Sequence, residues 1–246
     1  MKTSRELNVQ YKCQECEQPG QGFLCNASES SLRTSRSIRG TKVYPKGALL
    51  FVEGQPATAV YMLCHGKVKL STCSRDGKVI ILDVIETGDV LGLSAALNST
   101  EYEATAEVLE PSRVNYIETP DLLRFLQDHP EACLNAARQL SRNYQTAYRQ
   151  VCSLGLSDSV IDKLARLFLD WCGRSRHTDG SIRLKNPFTH EDMAEMIGTS
   201  RETVTRAFKF FREQGLISVK GSELLILDRQ RLVDSIGTRR SLRSVV

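Results

Sequence analysis

The chain has 246 residues, 41% hydrophobic and 25% charged, enough for two modest domains with their own cores and unlike a disordered or fibrous chain. The formal net charge is +4, and its distribution is uneven: residues 1–155 hold 17 basic and 17 acidic side chains, residues 156–246 hold 16 against 12, a surplus suited to nucleic-acid phosphates. No apolar run is long enough to span a bilayer and the N-terminus, MKTSRELNVQYKC, lacks the apolar stretch of a secretory signal, so a cytoplasmic protein without membrane contact is expected.

The first informative segment is YKCQECEQPGQGFLCN, which carries Cys13, Cys16 and Cys25 as Cys-x2-Cys-x8-Cys among glycine and proline. Thiolates at that spacing suit zinc or iron-sulfur iron, and a Cys-x-x-Cys pair grips one metal from a single turn. A thiol-disulfide switch and unliganded cysteines are the other readings. Eight cysteines in a cytosolic chain do not read as a disulfide scaffold, and a thioredoxin-like motif needs a βαβ setting that is missing here.

After an amphipathic stretch at Ser30 to Ile38, residues 41–118 read as short strands: Val43-Tyr44, Leu49 to Phe51, Ala59 to Leu63, Val68 to Leu70, Val79 to Ile85 and Arg113 to Ile117. Turn residues punctuate them about every ten positions, with Asp76-Gly77 as a hairpin signal, so a small barrel or jelly roll is expected. Cys64 and Cys73 read as packing or surface residues and His65 as a solvated turn residue. A short helix at Asp121 to Gln127 precedes Pro130, which opens a longer one. On it Cys133, Ala137, Leu140, Tyr144, Ala147, Val151 and Leu154 alternate spacings of four and three, the seam of a parallel dimer helix or the stripe of a core helix. Gly155 marks the boundary to a helix over Val160 to Cys172, capped by Ser157 or Asp158, with Cys172 buried. The loop of residues 173–180, with His177, is polar, and Ile182 to Leu184 read as a strand.

The most ordered pattern lies at Thr189 to Gln214. Thr189 with Asp192, and Thr199 with Glu202, are cap patterns for two helices, and Gly198 between them permits a left-handed turn. Val204, Ala207, Phe208 and Phe211 form a buried stripe, leaving Arg201, Glu202, Thr205, Arg206 and Lys209 outside. An amphipathic hairpin with a solvated face shows the same periodicity. As a DNA-binding helix-turn-helix, the outer face offers arginines for guanine and Glu202 for a cytosine amino group. Leu216 to Val219 and Leu224 to Leu227 around Lys220-Gly221-Ser222 read as a wing, and residues 238–246 as a flexible tail.

The run Thr199-Ser200-Arg201-Glu202-Thr203-Val204-Thr205-Arg206, then Gln214-Gly215-Leu216-Ile217 and Lys220-Gly221, resembles the recognition helix and wing of the CRP/FNR family of bacterial transcription regulators. Pro45 to Phe51 and Gly88 to Gly92 resemble that family's cyclic-nucleotide-binding roll, so the likeness covers about Tyr44 to Leu227. It implies base contacts by Arg201, Glu202 and Arg206, phosphate contacts by Thr189, Ser200, Thr203 and Lys220, and RNA polymerase as a further partner; from the outward face of the helix, Thr205 joins the base-facing set and Lys209 the phosphate-facing one. The resemblance also implies half-sites similar to TGTGA. The cysteine group is similar to the one that holds an oxygen-labile cluster in FNR-type members, but Asn115 stands where their fourth cysteine is expected; Cys64, Cys73 and Cys133 are substitutes of unknown place. Cyclic-AMP-binding members place a glutamate after the equivalent of Gly92 and an Arg-Ser pair about ten residues later. Here those positions read Leu93 and Glu103-Ala104, and no Lys or Arg occurs from Asp89 to Glu110, so cyclic AMP is not expected.

The fold class expected is therefore α+β, in five parts: a cysteine-bearing segment at 1–40, a β-roll at 41–128, a dimerisation helix at 129–155, a winged helix-turn-helix at 156–237 and the tail. The expected function is a homodimeric transcription regulator on double-stranded DNA, controlled by redox state, oxygen, or a zinc or iron-sulfur centre at the cysteines. The rivals are an effector-controlled regulator that binds a small molecule in the roll, with structural zinc or unliganded cysteines, and a thiol oxidoreductase using Cys13 and Cys16.

Overall fold

A computed structural model of the chain describes residues 28–156, 159–174, 182–185, 188–221 and 223–236. Cys13, Cys16 and Cys25, the proposed caps Ser157 and Asp158, His177 and the tail lie outside them. The chain divides into two compact units between Ala147 and Tyr148. Among the described residues no helix is long and apolar enough to cross a membrane.

Unit 1 opens with α1 (Glu29–Ile38), continues through strands β1 (Arg39–Tyr44) to β5 (Val79–Ile85) and β6 (Val90–Leu91), and then forms α2 (Leu93–Asn98). Between β1 and β5 lie β2 (Leu49–Phe51), β3 (Ala59–His65) and β4 (Val68–Cys73). After α2 come β7 (Thr105–Val108), β8 (Ser112–Glu118), α3 (Thr119–Asp128) and α4 (Pro130–Leu156), which runs on into unit 2. Two antiparallel sheets result, ordered β1-β8-β3-β6 and β2-β7-β4-β5. Alternation along β3 sends Tyr61 and Leu63 to the core between the sheets, with Phe51, Val68, Tyr102 and Val114. It sends Val60 and Met62 to a second core beneath the helices, with Ile117, Leu122, Phe125 and Ala132. Phe51 and Tyr102 stack at 3.9 Å inside the roll, and the Tyr102 hydroxyl donates to the Ala59 carbonyl at 2.6 Å.

The strands and helices expected from the sequence are present among the described residues, and four further elements accompany them: β6, α2, β7 and, in unit 2, α8 (Arg229–Asp234). Polar contacts seat α4. Buried Gln139 donates to Asp89 Oδ1 at 3.5 Å and to Asn143 Oδ1 at 2.9 Å. Near its start, Ser28 donates to Glu131 at 2.8 Å, the Ser31 hydroxyl also reaches that carboxylate, and Ser31 Oγ lies 2.7 Å from His129 Nδ1. The Ser31 and Ser28 hydroxyls pull the Glu131 carboxyl down to about 2. Gly155 does not end α4, which continues to Leu156.

Unit 2 holds α5 (Val160–Arg174), β9 (Ile182–Lys185), α6 (His190–Ile197), α7 (Arg201–Glu213), β10 (Ile217–Lys220), β11 (Glu223–Ile226) and α8. The sheet order is β10-β11-β9, so the wing hairpin is backed by a third strand. The cap at the start of α5 is Ser159, whose hydroxyl accepts from Asp162 N at 3.1 Å. Phe168 of α5 is the centre of the core, edge-on to Phe208 at 5.4 Å and Phe211 at 5.6 Å. Cys172, one helical turn further along α5, is also buried, and burial pushes its thiol up.

Candidate nucleic-acid interface

The turn between α6 and α7 is built from local chemistry. Thr189 Oγ1 accepts from Asp192 N at 3.1 Å while the Asp192 carboxylate accepts from Thr189 N at 2.8 Å, a reciprocal cap. Gly198 closes α6 at φ 66°, a conformation few L side chains adopt, and Lys163 donates to the Ile197 carbonyl at 3.4 Å. The cap of α7 is not Thr199, as its spacing to Glu202 predicts, but Ser200, which accepts from Thr203 N at 3.3 Å. Thr199 instead gives its backbone N–H to the Ala194 carbonyl at 3.0 Å, so it belongs to the end of α6.

With that start fixed, the two faces of α7 separate as expected. Val204, Ala207, Phe208 and Phe211 are buried, against a floor of Met193, Ala194, Met196 and Ile197 from α6. Arg201, Glu202, Thr205, Arg206 and Lys209 are all exposed. Glu202, at the helix N-terminus, has its carboxyl held below the usual range by its own backbone N–H and then by the Ser200 hydroxyl, so it remains an anionic acceptor between two guanidiniums. Arg206 donates to Thr203 Oγ1 at 3.2 Å, fixing its direction from the turn below. Lys209 pairs loosely with Glu213 at 3.8 Å on the solvent side. Lys220, exposed at the end of β10, leads into Gly221 at the wing tip.

One residue of this surface is absent from the sequence reading. His190, first in α6, places Nδ1 2.9 Å from Thr205 Oγ1, while that hydroxyl donates to the Arg201 carbonyl at 3.0 Å. With the threonine hydrogen committed, the histidine donates through Nδ1–H, and its ring rests 4.5 Å from that of Phe208. Fifteen positions separate the pair, so only tertiary packing could reveal it.

The seam residues of α4 are placed on one side of it. Cys133, Ala137, Tyr144, Ala147 and Val151 are exposed, and Leu140 and Leu154 are half-buried, Leu140 against the second core. Leu134 and Tyr148, which the spacing did not select, extend this edge at 52% and 60% exposure, next to Tyr144 at 70% and Val151 at 69%. Among the described residues, no group of three or more His, Cys, Asp or Glu side chains is placed to hold a metal. Asn115 is buried on β8 and its Oδ1 accepts from Thr41 at 2.6 Å. Cys64 is half-buried while Cys73 and Cys133 are exposed.

Comparison with known proteins gives a consistent picture. The cyclic nucleotide-binding domain model matches residues 41–129, and the Crp-like helix-turn-helix domain model matches residues 162–235. The chain is 27% identical over 190 residues to the CRP-like cAMP-activated global transcriptional regulator of Mycobacterium tuberculosis, covering 77% of this chain and 84% of that one. It is 28% identical over 187 residues to the cAMP-activated global transcriptional regulator CRP of Pasteurella multocida, at 74% and 88% coverage. In fold it matches the structure of FixK2 from Bradyrhizobium japonicum with a TM-score of 0.72 at 22% identity, covering 82% of this chain and 98% of that one.

The His190 ring titrates below its ordinary 6.5, first because burial disfavours the cation and then because Arg201 repels it. As pH falls through about 6.5 the unfolded chain therefore takes up this proton before the folded one, and the histidine costs stability from there downward. Melting followed at about pH 7.5 and about pH 5.5 should show a smaller drop for His190→Gln than for the wild type.

Proposed function

Since the chain belongs to the CRP/FNR family of DNA-binding transcription regulators, we propose that it acts as a homodimer presenting one α7 to each major-groove half of a two-fold DNA site. It is a regulator and not an enzyme. The observation that carries the proposal is the division of α7 into the buried apolar stripe Val204, Ala207, Phe208 and Phe211 and an exposed polar face that includes Arg201, Glu202, Thr205, Arg206 and Lys209. Arg201 and Arg206 read guanine edges, Glu202 accepts from a cytosine amino group and Thr205, held by His190, completes the base-facing set. Thr189, Ser200, Thr203, Lys209 and Lys220 hold phosphates, the first three with hydroxyls already oriented by the caps. RNA polymerase is the further partner, and half-sites are of the TGTGA kind.

The dimer is formed by the exposed apolar edge of α4. Tyr144, Tyr148 and Val151 in water are costly for a single chain, and each large side chain covered contributes roughly 1.5–3 kcal/mol. A second copy in parallel covers them with the same residues. Signal reception falls to Cys13, Cys16 and Cys25, which precede α1. The hydrogen bonds from Ser28 and Ser31 to Glu131 give that segment a mechanical route to the first turn of α4. Three thiolates suit zinc or an iron-sulfur centre, which would supply redox or oxygen sensitivity, but the fourth donor is not Asn115, whose amide oxygen is engaged within the sheet.

Although both relatives named above are called cAMP-activated, we do not extend that effector to this chain. Leu93 and Ala104 are buried apolar residues where the ribose and phosphate ligands are expected, Glu103 is exposed and anionic, and Glu107 already pairs with Lys69 at 3.2 Å.

A binding selection followed by Arg201→Ala or Arg206→Ala tests the recognition face: each should cost about 1–3 kcal/mol and relax one base position. A loss equal across all sequences would assign that arginine to phosphate instead. Tyr144→Glu with Val151→Glu should turn the dimer into monomers in sedimentation and weaken DNA binding at least about a hundredfold; an unchanged dimer would place the interface elsewhere. Anaerobic purification should yield metal, with or without sulfide, or thiols whose oxidation changes DNA affinity. A metal-free protein indifferent to oxidant would remove the cysteines from the signal path.

A further inference from the structure

Unit 1 contains a cavity of about 710 Å³, within the range of small-molecule sites. It opens on the inner face of β1, β8 and β3, and strand register determines what lines it. Gly40, Tyr116 and Tyr61 are cross-strand partners, so the two tyrosines project to one side. Gly40 is needed for this: a Cβ there would lie 2.2 Å from the Tyr116 ring, which occupies the vacant place. Lys42, two residues along β1 and on the same face, holds its Nζ 5.5 Å from the Tyr116 ring centre. Tyr44 and Tyr61 form the inner wall, and burial, followed by the neighbouring Tyr102, raises the Tyr61 hydroxyl well above its ordinary range, so it stays a neutral phenol. Glu118 lines the far rim. It is four strand positions from the partner of Lys42, Val114, or about 13 Å along β8.

None of Leu93, Glu103 and Ala104, the positions where the resemblance puts a nucleotide's ribose and phosphate partners, lines this cavity. Its chemistry is also different: flat phenol faces in the middle, a cation at one end and a carboxylate at the other. We propose that it is an effector site for planar aromatic acids bearing a ring hydroxyl, with the carboxylate at Lys42, the ring on Tyr116 and the hydroxyl donating to Glu118. Occupancy reaches α4 through the rim. Thr119 and Pro120 line the cavity and open α3, and Thr119 is anchored to the roll by its hydroxyl, which donates to the Ala57 carbonyl at 2.5 Å. The next turn carries Leu122 and Phe125 into the core shared with Ala132 and Ala136 of α4. Binding at the cavity stands apart from the DNA-reading proposal; only its regulatory consequence rests on it.

Calorimetry of the full chain with 4-hydroxycinnamate tests the site without DNA. Saturable binding with Kd at or below about 1 mM is expected, weakened about tenfold or more by Lys42→Ala and equally by replacing the ligand with its neutral amide. Gly40→Val, which displaces Tyr116, should weaken it too, whereas Lys46→Ala, on the exposed turn after β1, should leave it unchanged. Melting curves of each variant verify folding. Absence of saturable heat in the wild type, binding indifferent to Lys42→Ala, or competitive displacement by cyclic AMP would each overturn the proposal. DNA affinity of ligand-free Lys42→Ala should match the wild type, so failure of the pocket and failure of the DNA reading give different results.

Discussion

The central strands of the sheet β1-β8-β3-β6 carry buried apolar side chains on both faces, and the arrangement of unit 1 follows from that. Along β3 and β8, Leu63 and Val114 belong to the core inside the roll, while Val60, Met62 and Ile117 belong to the core under the helices. Each such side chain contributes roughly 1.5–3 kcal/mol only while both sides are covered. Helices α3 and the first half of α4 are therefore obliged to lie on the outer side. Small residues at Ala132 and Ala136 let α4 approach closely, and Gln139 satisfies its buried amide on Asp89 and Asn143. The other edge of the helix, with Ala137, Tyr144 and Val151, is left turned outward.

Much of this was legible because chemistry and period coincide. The stripe of α7 is legible because helical spacing and residue type agree at all four buried positions, and the outward set follows as its complement. The strands with branched residues and turn signals are legible for a similar reason. Where the local signal is thin, the sequence is silent: β6 has only two residues, α2 only six, β7 alternates buried Ala106 and Val108 with half-buried Thr105 and Glu107, and α8 fixes itself with an Asp228 cap and one buried leucine. The α7 cap shows a different failure. Thr199 and Ser200 are adjacent, each capable of capping, and the choice was made by α6, whose last turn takes the Thr199 backbone N–H. The exposed apolar edge of α4 also includes Leu134 and Tyr148, which the heptad spacing omits because it names one line along a helix.

Two positions show how resemblance and packing can assign one residue differently. Asn115 stands where a metal-binding cysteine would be expected, and here it is a sheet residue whose amide oxygen takes a hydrogen bond from Thr41 on the neighbouring strand. His190 carries no motif signal, yet its ring nitrogen hydrogen-bonds the Thr205 hydroxyl on the exposed side of α7. In both cases the hydrogen-bond partner is distant in sequence.

The burial of Cys172 has a practical corollary for thiol chemistry in this molecule. Its sulfur is shielded in the core of unit 2 and held protonated, whereas Cys73 and Cys133 are exposed. An alkylating reagent can reach Cys172 only when that core opens, so its rate of modification is a clock for opening of the DNA-binding unit, carried by the native sequence without an introduced label.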